Sequence, residues 1–154
     1  MVSAWRIVAA RWADTAFDGE GARRYGGRWN SPGRPAIYLA GSRALAALET
    51  LVHMSPRVAA RQKFVRFEVS LPKSLVAPLD GKPRHHLEPF VGTETQKTGD
   101  RWLEAGDGAA LAVPSAVIPE EPNYLLNPVH PQFNEVEINE GEAFAFDPRL
   151  LEKQ

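Results

Sequence analysis

Residues 63–71 alternate more cleanly than any other stretch of this chain. Phe64, Arg66, Glu68 and Ser70 interleave with Val65, Phe67, Val69 and Leu71, and Pro72 closes the run. A period of two sends successive side chains to opposite faces of a strand, so this segment predicts a strand with one buried face. Further strands are expected where short apolar runs meet turn residues. Residues 4–9 alternate loosely, and residues 35–40 carry the β-favouring Ile37 and Tyr38. Residues 109–113 are stopped by Pro114. Residues 136–138 and 143–146 are expected to pair with each other as a terminal hairpin around Glu140 and Gly141.

Helices are fewer. Ser42 follows Gly41 as an N-cap, which predicts a helix over residues 43–53. Its core face is expected to be Ala44, Leu45, Leu48, Leu51 and Val52, with Glu49 on the flank beside Leu45 and Val52. A second helix is expected over residues 95–105, although Gly99 lowers its propensity. Residues 17–33 form a Gly- and Arg-rich loop. Residues 78–92 hold three prolines and residues 119–131 hold four, so both are expected to be loops. Strands throughout with two helices between them give an α+β single domain spanning residues 1–154.

Composition narrows the function classes. An apolar fraction of 44% with 24% charged residues is that of a folded globular protein. The net charge is −1, from 18 basic and 19 acidic residues, so a general phosphate-binding surface is not expected and no direct nucleic-acid partner is assigned. The chain has no cysteine, which excludes a disulfide framework, a thiolate zinc site and a Cys nucleophile. His85, His86 and Glu88 make no convincing ligand set, so no metal is expected. The start of the chain has no apolar h-region, and no run approaches membrane-spanning length; a soluble, cytoplasmic protein is expected, with no membrane partner.

Three groups of residues can carry chemistry. The first is the loop from Tyr25 to Gly33, in which glycines admit a close backbone approach and Arg28 can pair bidentately with a phosphate or carboxylate. Trp29 can pack on a flat ring or close the core. The alternative is a tight turn with a surface Arg. The second is Glu49, at the border of core and cleft or simply solvated. The third is Ser115 with Asn123, Tyr124, Asn127 and His130 downstream. No nucleophile elbow surrounds Ser115, which can equally orient a ligand or start a turn.

Taken together these segments resemble the RES domain family. The resemblance runs from Trp5-Arg6-Ile7 through Gly26-Gly27-Arg28-Trp29-Asn30 and Ala36-Ile37-Tyr38-Leu39-Ala40 to Ala46-Ala47-Leu48-Glu49. It continues in Pro114-Ser115-Ala116-Val117-Ile118-Pro119 and Asn123-Tyr124-Leu125-Leu126-Asn127-Pro128, and closes at Phe146-Asp147-Pro148-Arg149-Leu150. The resemblance implies a toxin of a type II toxin–antitoxin pair, partnered by an Xre-like antitoxin that blocks the active site, with a homodimer within the complex as a further option. It implies a fold similar to that of ADP-ribosyltransferases, with mixed sheets around an NAD-binding cleft flanked by helices. It also implies NAD+ as substrate, cleaved at the nicotinamide–ribose bond by hydrolysis or phosphorolysis.

The family's Arg, Glu and Ser match Arg28, Glu49 and Ser115, and Tyr38 matches a further active-site tyrosine. Arg6, Trp29 and Asn30 join Arg28 and Tyr38 as expected contacts to the dinucleotide. The chemistry suits these residue types. Nicotinamide leaves as a neutral group, and positive charge develops on the ribose as in glycoside hydrolysis. A carboxylate beside that charge and a rigid hold on the rest of the molecule are what is needed. Glu49 is expected to stabilise the charge, Arg28 to hold the diphosphate, Ser115 to orient the ribose and Tyr38 to wall in the nicotinamide. A mono-ADP-ribosyltransferase acting on a protein, and a nucleotide-binding module without catalysis, remain as alternatives. A ribonuclease using His85, His86 or His130 would want more basic surface.

Overall fold

The structure is a computed structural model that describes residues 1–79 and 94–152. Among the described residues the strands are β1 (Val2–Ala9), β2 (Ile37–Ala40), β3 (Phe64–Leu71), β4 (Val76–Ala77), β5 (Ala110–Pro114), β6 (Pro122–Leu126), β7 (Glu137–Ile138) and β8 (Glu142–Phe144). The helices are α1 (Glu20–Tyr25), α2 (Arg43–Leu51), α3 (Pro56–Arg61) and α4 (Glu94–Ala105), with short 3-10 turns between elements. The architecture is α+β, and its strands make one mixed sheet rather than several. The order is β4-β5-β6-β2-β1-β3-β7, with β8 also on β3. Only β4 and β5 run parallel among the described pairs.

Strand alternation divides the core into two layers. Ala4, Ile37, Leu39, Val69, Leu71, Tyr124 and Leu126 pack together on one face. On the other, α2 packs over β1 and β2, where Ala40, Leu45 and Ala46 meet Trp5 and Ile7. Beside it, Leu103 of α4 packs with Trp29, Leu111, Val113 and Leu125. The second face therefore carries two covers, α2 over one half and α4 with the Gly-rich loop over the other, and the boundary between them falls along β2 and β6.

The expected strands at 4–9, 35–40, 63–71 and 109–113 are present within a residue or two. In β3, Phe67, Val69 and Leu71 are buried as the alternation required, and Phe64 is buried on the opposite side against Phe146. Ser42 caps α2, its Oγ accepting from the Leu45 N–H at 3.1 Å.

Four expectations are corrected. The proline-rich segment 119–131 is not all loop, because β6 lies in the middle of the sheet. Pro122 opens that strand, where its missing N–H does no harm, and its carbonyl accepts from the Gly41 N–H at 2.9 Å. The Gly-rich loop contains α1, which stops at Gly26, a residue at φ +74° that favours glycine. The terminal hairpin does not form. β7 and β8 both pair with β3, one after the other, and the three residues 139–141 face only two on β3, 67 and 68. Glu140 and Gly141 therefore sit in a bulge, not a turn. Lastly, α2 is rotated from its expected face. Leu45 and Ala46 are buried, whereas Ala44 is exposed and Leu48 and Val52 are 38% and 56% exposed. The face turned to the sheet includes Glu49, which finds hydrogen-bond donors there.

Candidate active site

The boundary between the two covers is where the polar side chains converge. Asn123 on β6 lies directly opposite Ala40 on β2, and Tyr38 lies opposite Leu125. These positions form a floor, α2 brings Glu49 from one side, and the loop after α1 brings Arg28 from the other.

Glu49 is half-buried and held at one oxygen. Its Oε1 accepts from the Ser115 hydroxyl at 2.6 Å and from Asn123 Nδ2 at 2.8 Å. Among the described residues its Oε2 has no hydrogen-bond partner. Ser115 is wholly buried just beyond β5, and its Oγ accepts from the Val117 and Ile118 N–H groups at 3.1 and 3.0 Å. The two amides turn the segment after Pro114 back on itself and leave the Ser115 proton pointing at Glu49. A hydroxyl has one proton and two lone pairs, so Ser115 is fully used.

Arg28 belongs to the same electrostatic group. Burial lowers the proton affinity of its guanidinium, while the nearby Glu49 and Tyr38 oppose that effect. Tyr38 lies beneath the loop. Its hydroxyl donates to Asn30 Oδ1 at 2.6 Å and accepts from the Trp29 N–H at 3.0 Å. Burial pushes the phenol well above its ordinary range. Gly27 passes so close that a Cβ there would lie 2.7 Å from this hydroxyl.

The remaining expected residues are placed differently. Trp29 and Asn30 are 2% and 0% exposed and belong to the core beneath the loop. Asn30 Nδ2 donates to the Ala22, Ser31 and Arg34 carbonyls at 2.9, 3.2 and 3.4 Å, so both ends of its amide are engaged inside the protein. Arg6 alternates with Trp5 and Ile7 and so points to the other face of the sheet. Its Nε and Nη1 donate to the Ala16 and Tyr38 carbonyls at 2.8 and 3.1 Å, and burial lowers its pKa to about 10. The structure thus brings Arg28, Tyr38, Glu49 and Ser115 together, while Arg6 reaches that group at the Tyr38 backbone carbonyl, from the opposite face of the sheet. His130 caps a 3-10 turn through Gln132 at 3.1 Å, away from this group. His85, His86 and Glu88 lie outside the described residues. Among the described residues no group of three or more His, Cys, Asp or Glu side chains is placed to hold a metal, and no helix is long and apolar enough to cross a membrane.

Sequence reasoning missed the support for the loop. Gln96 Nε2 donates to the Gly27 and Asn30 carbonyls at 3.0 and 3.2 Å. Asp100 accepts from Ser31 at both N–H and Oγ, at 2.9 and 2.5 Å. Gln96, Gly99 and Asp100 share one face of α4, and that spacing around a helical glycine was the available signal. Asn123, which the sequence places only in the company of Ser115, joins the site through its bond to Glu49.

The Tyr38 hydroxyl is the pin of this loop, and Tyr38→Phe tests it. The substitution leaves a buried N–H of Trp29 and a buried Oδ1 of Asn30 without partners, each an unfavourable change of about 1–3 kcal/mol. Urea unfolding is expected to show a loss of that order, and an unchanged midpoint would mean that the hydroxyl does not hold the loop.

A RES domain family model matches residues 3–147. The Yersinia enterocolitica protein named Toxin Res is 41% identical over 150 residues, covering 95% of this chain and 97% of that protein. A Sphingobium protein named Prs ADP-ribosylating toxin is 33% identical over 159 residues, covering 98% of each. A chain of the crystal structure of the M. tuberculosis MbcT–MbcA toxin–antitoxin complex shares the fold, with a TM-score of 0.70 at 21% identity, over 97% of this chain and 86% of that one.

Proposed function

The chain belongs to the RES domain family, and from that premise we propose that it is the toxin of a toxin–antitoxin pair and cleaves the nicotinamide–ribose bond of NAD+. One observation carries this reading: a half-buried carboxylate held at one oxygen by two donors, with no hydrogen-bond partner on its other oxygen among the described residues, and an arginine close enough to feel its charge. Glu49 Oε2 faces the ribose as the bond from C1′ to the nicotinamide nitrogen lengthens. The bonding electrons leave with nicotinamide, and the positive charge left on the ribose is stabilised by the fixed carboxylate. Water or phosphate then adds to C1′ and loses a proton, giving ADP-ribose or its 1″-phosphate. Arg28 holds the diphosphate, and Tyr38 supplies the floor under the nicotinamide end. Ser115 acts on Glu49 rather than as a nucleophile, because its proton and both lone pairs are already committed. Trp29, Asn30, Gln96 and Asp100 hold the loop that presents Arg28.

Such an activity needs restraint in its host. An Xre-like antitoxin covering the cleft fits the toxin–antitoxin complex in which the fold is also found, and a cytoplasmic location follows from a cytoplasmic substrate. A second reading keeps the bond broken and changes the acceptor to a protein; the name of the Sphingobium relative favours it. Purified protein incubated with labelled NAD+, with and without phosphate, separates these. Nicotinamide release with label in small molecules is the expected result. Label retained on protein would move the assignment to a transferase, and no release under either condition, with or without added protein acceptors, would overturn both.

A further inference from the structure

We propose that Asn123 is a positioning residue for the reaction at Glu49, selecting which carboxylate oxygen the cleft receives. The inference rests on the functional reading above. Asn123 Nδ2 and the Ser115 hydroxyl converge on the same atom, Glu49 Oε1, at 2.8 and 2.6 Å. Two donors on one oxygen fix both the position and the rotation of the carboxylate, whereas one donor would leave it free to turn about its terminal bond.

The two arms differ in rigidity. Asn123 stands in the interior of the sheet, paired with Ala40 on one side and Val113 on the other. Its backbone is fixed by both neighbours, and its side chain has two torsions. Glu49 reaches down from α2 on three torsions and has more freedom to lose. The strand therefore positions the helix residue.

The other end of the amide strengthens the argument. A carboxylate only accepts, so the Asn123 NH2 must face Glu49. That orientation leaves Asn123 Oδ1 buried with no hydrogen-bond partner among the described residues. A buried acceptor without a donor is unfavourable, and a position serving only the sheet is better filled by an apolar side chain. The amide makes physical sense here through what its nitrogen does for Glu49. Ser115 has no spare capacity to take over that task, since Val117 and Ile118 already occupy its oxygen.

The test uses Asn123→Asp and Asn123→Leu, both close to Asn in size, with NAD+ turnover and thermal unfolding measured beside wild type. Outer-shell partners of metal ligands typically contribute about 10–100-fold to activity, and a loss of that order is the working expectation for a donor that orients a reacting carboxylate. That loss is expected in kcat, with KM moving by no more than about three-fold, because the arm acts on Glu49 in the transition state. Asn123→Leu is expected to melt at or above the wild-type temperature, which a merely structural amide would not allow. A raised KM at unchanged kcat would make Asn123 a binding contact and overturn the proposal, as would wild-type rates in Asn123→Asp. Wild type that releases no nicotinamide overturns the functional reading itself. Should a variant fold poorly, NMR of the wild-type Asn123 side-chain amide decides. Its signals are expected to move on Glu49→Ala, and signals that stay put would remove the contact on which the inference stands.

Discussion

Glu49→Gln is expected to lower NAD+ turnover by about 10²–10³-fold, equivalent to about 2.7–4 kcal/mol of lost transition-state stabilisation. The substitution isolates charge from shape. A glutamine keeps the length of the side chain, and its amide oxygen can accept from Ser115 and Asn123 where Glu49 Oε1 does now. What changes is the other end, where an NH2 donor replaces the oxygen proposed to face the ribose. An uncharged donor cannot stabilise a developing cation, so kcat falls while the packing of α2 on β1 and β2 survives. The melting temperature is therefore expected near that of wild type, and dinucleotide binding is expected to weaken much less than kcat. Single-turnover nicotinamide release with calorimetric binding makes the separation. A folded Glu49→Gln protein with wild-type turnover would sink the assignment of Glu49. A variant that fails to bind dinucleotide would move Glu49 from charge stabilisation to ground-state binding.

That a carboxylate on α2 turns toward the sheet was only partly legible in the sequence. Ser42 and the apolar spacing locate the helix, and local pattern puts Glu49 on the flank of an apolar face. The pattern also puts Leu48 and Val52 in the core, where the structure leaves them exposed. The rotation is decided by partners that lie 66 and 74 residues away in the chain, Ser115 and Asn123. No local periodicity encodes such a pair, and only the resemblance to a family joined Glu49 to Ser115. Strands were legible where alternation operates, as in β3. They were hidden where both faces of a strand are covered and prolines punctuate it, as in β6, whose consecutive Tyr124, Leu125 and Leu126 are all buried and leave no alternation to read. The signal for α3 was present and went unread: Ser55 followed by Pro56 is a cap with a proline in the first turn, and Ser55 Oγ does accept from the Val58 N–H at 3.2 Å. The loop residues Trp29 and Asn30 were legible as a motif, but motif alone does not tell a ligand contact from the support beneath one.

Gly99 shows how far a local argument can point the wrong way. In isolation Gly99→Ala is expected to favour α4 by about 1 kcal/mol, since alanine is the better helix former. In the folded protein a Cβ at this position would lie 1.7 Å from the Trp29 carbonyl oxygen and 2.6 Å from its carbonyl carbon. Both obstructing atoms are backbone, so no side-chain rotation relieves the contact. Either α4 or the loop must move, and both are tethered: α4 through Leu103 in the core, the loop through Gln96 and Asp100. Overpacking of this kind costs about 1–3 kcal/mol or more, which outweighs the propensity gain. Gly99→Ala is therefore expected to destabilise the protein in urea unfolding, the reverse of the helix argument. Whichever of the two yields, the seat of Trp29 against α4 is lost. Arg28 is the residue before Trp29 and shifts with it, so turnover is expected to fall even in the fraction that remains folded. A Gly99→Ala protein more stable than wild type would mean that α4 does not approach the loop at Trp29, and with that contact would go the rigid presentation of Arg28 across the cleft from Glu49.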